Sequence, residues 1–300
     1  MSAAASALID LSPLAAADAG GAPQGWYLYG ITRRGTPPEV LAAANDVQAV
    51  DTAAAVSRGD AAPLQLLECG GLAAVVRPVT LAEFNIDVLK ERLRNASTLE
   101  AMVRSHDCVI DAIHARRAIL PAKFGVVYSN PQDIVSALRS GCDTLLPQLH
   151  SMEGCDEWAV HVYAARAVVR ERISARIPAI GRLRDEFAAA RPGRAYFLER
   201  QLRDEMESAT RQALASLAQG VFDRIAGAAV AGQVNRVARA ADSADEVEIL
   251  RGAFLVARDR IEHFADEVRA AADEGEGLRC ECSGPWAPYS FASCNIEGAQ

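Results

Sequence analysis

From about Arg194 to Ala226 the chain carries one narrow apolar stripe at helical spacing, Leu202, Met206, Ala209, Ala213 and Leu217. At 1.5 Å per residue that is roughly 50 Å of helix. The stripe is rich in small residues, which predicts that the helix lies close against a sheet. The flanking sequence supplies the strands. Trp158, Val160 and Val162 alternate with Ala159, His161 and Tyr163, the period of a half-buried strand. Helical stretches follow, broken at Pro178 and at Pro192-Gly193. After the long helix come predicted strands over 230–239 and 247–257, a helix over 258–272 and a strand over 278–282. In order, residues 157–283 spell β-α-β-β-α-β, the ferredoxin-like arrangement.

The N-terminal half mixes strands and helices less regularly. Trp26 to Ile31 is an aromatic and β-branched run that reads as a strand. A short Ala-rich helix is expected after Pro37-Pro38, then a short strand around Val47–Val50. Gly70-Gly71 between two apolar runs predicts a tight hairpin, because glycines take the positive φ angles of a primed turn. Ser97 and Glu100 form a capping box before a helix with an apolar stripe that includes His106, Val109 and Ile110. Ile119 to Tyr128 reads as one buried strand, and Asn130-Pro131 opens another helix. The expected fold class is therefore α+β in two domains, the C-terminal one ferredoxin-like (βαββαβ), with a C-terminal tail. The expected division is a flexible arm over 1–24, an N-terminal α/β domain over 25–152, the ferredoxin-like domain over 153–283 and the tail over 284–300.

Charge and composition narrow the partners. The formal net charge of −8 gives no summed positive field for a polyanion, so no nucleic-acid partner is expected. Arg166, Arg170, Arg172 and Arg176 read as a solvated helix face. No apolar run approaches the roughly 18 residues a membrane span requires. Residues 1–24 lack the positive start of a secretion signal, so a cytoplasmic location is expected. The seven cysteines, an odd number, then read as reduced thiols.

Catalytic signatures are missing. There is no phosphate-cradling glycine loop, no H-E-x-x-H and no G-x-S-x-G. His106 is open to two readings, a hydrogen-bonded core histidine or a functional contact. His114, eight residues on, can approach the same side of the helix, but the sequence places no third metal ligand beside the pair. Cys280 and Cys282 alternate on a strand and share one face; packing is the preferred reading over a metal site, because zinc pairs are spaced more widely. The acidic pairs at 185–186, 204–205 and 245–246 lie among arginines and read as solvated. No enzyme, metal or cofactor is expected.

Four segments, in order, carry a resemblance. They are Trp26-Tyr27-Leu28-Tyr29-Gly30-Ile31, His106 followed by Ile119-Leu120-Pro121-Ala122-Lys123-Phe124-Gly125, Glu157-Trp158-Ala159-Val160-His161-Val162-Tyr163, and Gly284-Pro285-Trp286-Ala287-Pro288-Tyr289-Ser290-Phe291. Together they resemble the gas vesicle protein family of the F and L type over residues 26–291. Ala287 stands where the family pattern has a proline and His161 where it has a lysine. The resemblance implies an accessory or minor structural protein of gas vesicle assembly that works in the cytoplasm and at the vesicle. It also implies, as partners, the hydrophobic major shell protein, whose premature aggregation the chain would limit, and other accessory proteins. No catalytic residue or cofactor comes with it. Trp286, Tyr289 and Phe291 are the candidate partner contact; His106, Pro121, Phe124, Gly125 and Trp158 are candidate structural residues. A small-molecule-binding ferredoxin-like regulatory protein is the alternative, and it requires a closed apolar pocket.

Overall fold

The structure, a computed structural model, describes residues 24–51, 62–81, 96–235, 245–275 and 277–292, with side chains left aside at 47–51. The expected N-terminal arm lies outside the described residues, except for Gln24. Two compact units form: one takes the chain up to Gly154 and again from Trp286, the other takes Cys155–Pro285.

In the first unit, strand β1 (Gln24–Arg33) is the centre of an antiparallel sheet. Helix α1 (Pro38–Asp51) follows, then the hairpin of β2 (Gln65–Cys69) and β3 (Leu72–Thr80). Gly70 and Gly71 take φ of +58° and +89°, as the predicted primed turn needs. Helix α2 (Ala96–His114), β4 (Ile119–Pro121), β5 (Val127–Tyr128) and helix α3 (Pro131–Ser151) complete the run. The strand order is β2-β3-β1-β4, and β5 also pairs with β1. Asn130 caps α3 by accepting the Gln132 N–H at 3.0 Å.

Both β1 and β3 are buried almost throughout, the pattern of strands covered on two faces. Tyr27, Tyr29 and Val75 form one core with Val40 and Ala44 of α1 and Val109, Ile110 and Ile113 of α2. Helix α3 packs on the same sheet with Ile134, Val135, Leu138, Leu145 and Leu149 buried. The β1–β3 register slips at Tyr29, between Leu28 and Gly30. A β-carbon on Gly30 would lie 2.6 Å from the Leu120 carbonyl oxygen, so only glycine lets β4 come this close.

Two expectations fail here. Residues 47–50 belong to α1 and not to a strand; Val47 and Val50 are three apart, a helical spacing too, and the Ala-rich stretch before them favours helix. The single strand expected over Ile119–Tyr128 is two short ones. Gly125 between them sits at φ +85°, a left-handed conformation that interrupts a ladder.

The second unit holds β6 (Cys155–Ala165), helices α4 (Arg166–Arg176), α5 (Pro178–Ala188) and α6 (Pro192–Ala226), β7 (Ala231–Val234), β8 (Glu246–Ala257), helix α7 (Ile261–Glu274) and β9 (Leu278–Trp286). Its sheet runs β7-β8-β6-β9, with β8 antiparallel to both β6 and β7. Of the strand expected over 230–239, residues 236–239 lie outside the described residues. Strand β9 runs four residues past its expected end at Cys282. One face of the sheet, with Trp158, Val160, Val162, Leu250 and Phe254, packs against Val221 and Ile225 of α6 and Phe264 and Val268 of α7.

The long helix is as long as expected, and its stripe meets two helices as well as the sheet. Leu202, Met206, Ala209, Ala213 and Leu217 gather with Val169 and Ile173 of α4 and Ile180 of α5, and with Ala164 of β6, Ile249 of β8 and Leu278 of β9. Only the last turns of α6 enter the core made with α7 and the sheet. A helix of about 52 Å overhangs a four-stranded sheet about 14 Å wide from first strand to last. The overhanging half needs its own apolar cover, and α4 and α5 provide it.

Candidate functional site

His106 projects from the buried side of α2, only 3 % exposed. Its Nε2 lies 3.2 Å from the Ala122 carbonyl oxygen, which can only accept. Nε2 therefore carries the hydrogen and Nδ1 accepts from the Tyr27 hydroxyl at 2.9 Å. The same hydroxyl oxygen accepts the Gly125 N–H at 3.1 Å. Gly125 presents that N–H from its left-handed turn, which explains why glycine stands there. Burial holds the His106 pKa below 6.5, so the ring is neutral. Burial likewise raises the Tyr27 phenol.

Aromatic rings close the cage. Tyr29 stacks on His106 with centroids 5.5 Å apart, and Tyr27 and Phe124 meet it edge-on at 5.6 and 5.8 Å. The Arg77 guanidinium lies over Tyr29 at 5.7 Å and donates to Asn45 Oδ1 at 3.0 Å. Pro121, in β4, pairs with Gly30 at the edge of this cage. With both ring nitrogens engaged and the ring buried, His106 ties three chain segments together.

The C-terminal segment docks beside the cage. Ala287 is 1 % exposed, in the same core as Tyr27, Tyr29, Val109 and Ile110. Its backbone amide bonds the Asp111 carboxylate, whose pKa is pushed up by burial and by Asp107 one turn away. The Tyr289 hydroxyl donates to Asp107 Oδ1 at 2.7 Å. Phe291 and Ala292 turn back to the Pro288 carbonyl. Trp286 stays 50 % exposed and Tyr289 37 %, while Phe291 is half-buried.

Trp158 lies elsewhere, in the core of the second unit. It meets Gly284, where an added β-carbon would sit 2.8 Å from the indole Cδ2 and Cε3. His114 is buried on α2, and His150 is largely exposed. His161 lies 2.7 Å from Glu248. Cys280 packs at the margin of the second core while Cys282 is exposed. Among the described residues no three His, Cys, Asp or Glu side chains gather as metal ligands. No helix described is long and apolar enough to cross a membrane.

Sequence pattern marks His106, Pro121, Phe124 and Gly125, and holds Tyr27 and Tyr29 only as members of a strand segment; Asp107 and Asp111 stand outside every segment that it marks. Tyr27 and Tyr29 were legible in principle, being two apart on one strand face. Asp107 and Asp111, one turn apart beside an apolar stripe, were the other available signal.

Fold and site together define an α+β protein built on antiparallel sheets, with a buried histidine–tyrosine tie and an aromatic C-terminal segment locked onto it. Residues 25–293 match the family described as gas vesicle synthesis protein GvpL/GvpF, and the chain belongs to that family. A curated relative, gas vesicle protein L of Streptomyces sp. (strain CB03234), is 31 % identical over 235 residues, covering 77 % of this chain and 83 % of the relative. The fold is similar to the crystal structure of GvpF from Anabaena sp. PCC7120, with TM-score 0.65, 19 % identity, and 90 % of this chain and 98 % of that one covered. GvpF from Microcystis aeruginosa gives TM-score 0.57 at 15 % identity, over 90 % and 99 %.

Proposed function

We propose that the chain is a non-enzymatic accessory or minor structural protein of gas vesicle assembly. In this reading it binds the hydrophobic major shell protein in the cytoplasm, limits its premature aggregation during vesicle nucleation, and meets other accessory proteins at the vesicle. Family membership supports the pathway. A protein that walls off gas must carry a strongly apolar surface before it assembles, and such surfaces aggregate unless a partner covers them.

The observation that carries the contact is the contrast between neighbours. Ala287 is 1 % exposed whereas Trp286, one residue earlier, is 50 % exposed. Bonds from Tyr289 to Asp107 and from the Ala287 amide to Asp111 hold the segment still. A large apolar ring fixed at the surface binds without a further ordering cost, and Trp and Tyr dominate interface energies. Trp286, Tyr289 and Phe291 are thus the proposed contact.

The strand order β7-β8-β6-β9 supports reading residues 153–283 as a ferredoxin-like domain, with 25–152 as a separate N-terminal domain. Co-purification of the shell protein with a Trp286→Ala variant tests the contact. Capture should fall while the far-ultraviolet circular dichroism stays that of the parent; undiminished capture overturns it.

A further inference from the structure

Helix α6 has a second face that no part of the described chain covers. Away from its buried Leu198 and Met206, an open groove is lined by Phe197, Arg200, Gln201, Asp204, Glu205 and Ser208. Phe197 is 70 % exposed, and Tyr196, itself 65 % exposed, meets it edge-on at 5.7 Å. An exposed aromatic pair on the otherwise polar outer side of the helix is a surface that gains from being covered.

The order of these residues says by what. Phe197 and Arg200 precede the midpoint between Leu202 and Arg203 by the same steps by which Ser208 and Glu205 follow it; Gln201 and Asp204 are the inner pair. An antiparallel helix with this same face, crossing at that midpoint, therefore sets Phe197 over the small Ser208. It also sets Arg200 and Gln201 against Asp204 and Glu205, and each contact occurs twice. Aromatic meets small, cation meets carboxylate, and amide meets carboxylate. The face is complementary to itself, as a two-fold interface must be. A polyanion such as RNA is a poorer match, because Asp204 and Glu205 would face its phosphates.

We propose that two copies of this chain pair through α6, antiparallel, about an axis between Leu202 and Arg203. The Arg200–Asp204 pair within one helix, 4.0 Å apart and exposed, gives way or is shared at little cost.

Sedimentation equilibrium of the full-length chain at increasing concentration tests this, with circular dichroism to check that each variant folds. A monomer–dimer equilibrium weakened by salt is expected. Arg200→Glu, which faces acid with acid, should weaken it by about ten-fold or more. Adding Asp204→Arg to Arg200→Glu should restore it, and Phe197→Ala should weaken it independently of salt. A chain that stays monomeric throughout, a dimer indifferent to Arg200→Glu, or a swap that fails to restore pairing overturns the proposal. RNA or another protein captured on this face by a monomeric chain does so too.

Discussion

The Tyr289 hydroxyl reaches Asp107 at 2.7 Å, joining the end of the chain to a helix 182 residues earlier. Removing that hydroxyl in Tyr289→Phe leaves the ring to pack but deprives a carboxylate of its donor. A hydrogen bond to a charged group at a partly exposed site is worth about 1 kcal/mol. Native-state hydrogen exchange in α2 should report a loss of that size, with α6 and α7 unaffected.

Asp111 gives the docked segment a pH dependence. Burial and Asp107 raise its folded pKa above the ordinary 3.8. The folded protein therefore holds this proton more tightly than the unfolded chain, and its contribution to stability falls as pH rises from 3.8 through the raised value. Asp111→Asn keeps an acceptor for the Ala287 amide and removes the titration. Denaturation midpoints of the variant should lack that fall, and the variant should be more stable than the parent at neutral pH.

His106 has the opposite sign. Its folded pKa lies below 6.5, so the unfolded chain takes up the proton more readily. Stability is full above about 6.5 and declines as pH drops below it. His106→Leu abolishes this acid-side decline, and it also takes the donor from the Ala122 carbonyl and an acceptor from the Tyr27 hydroxyl. Each buried unpaired group costs about 1–3 kcal/mol, so the first unit should unfold at markedly lower denaturant at pH 7.5.

Two glycines separate backbone strain from crowding. An alanine at Gly125 meets nothing within 4 Å, but φ of +85° strains it by about 1–2 kcal/mol. At Gly284 the backbone is at φ +147° and the new methyl also strikes the Trp158 ring and the Glu157 carbonyl oxygen. Gly284→Ala should therefore destabilise more than Gly125→Ala. A smaller side chain in Trp158→Leu should recover part of the Gly284→Ala loss and none of the other, read from thermal melts of the single and double variants.

Element types were legible where the chemistry is local. The Gly70-Gly71 turn, the Asn130 cap and the breaks at Pro178 and Pro192 act within a few residues, and sequence records them directly. The strand split at Gly125 and the helix through Val47–Val50 were not legible, because one glycine in an apolar run and two valines three apart each suit more than one structure. His106 was singled out by its place in an apolar stripe. Its partners Tyr27 and Ala122 are set by how β1 and the loop after β4 meet, a long-range fact. The same holds for Asp107 and Asp111, whose partners lie at the far end of the chain.

The overhang of α6 predicts uneven stability along one helix. Ile173 of α4 lies in the helical cluster with Met206, and Ile225 lies in the core shared with the sheet and α7. Truncating a buried isoleucine to alanine costs about 2–5 kcal/mol at either site, but the loss should spread differently. Ile173→Ala should speed amide exchange most in α4, α5 and the first half of α6, while β6 and β8 lose less, since only Ala164 and Ile249 of those strands join this cluster and the rest of their apolar face packs in the other core. Ile225→Ala should lower protection in β6, β8 and α7 as well. Equal loss in β6 and β8 for both variants would show that the helical layer and the sheet open as one cooperative body.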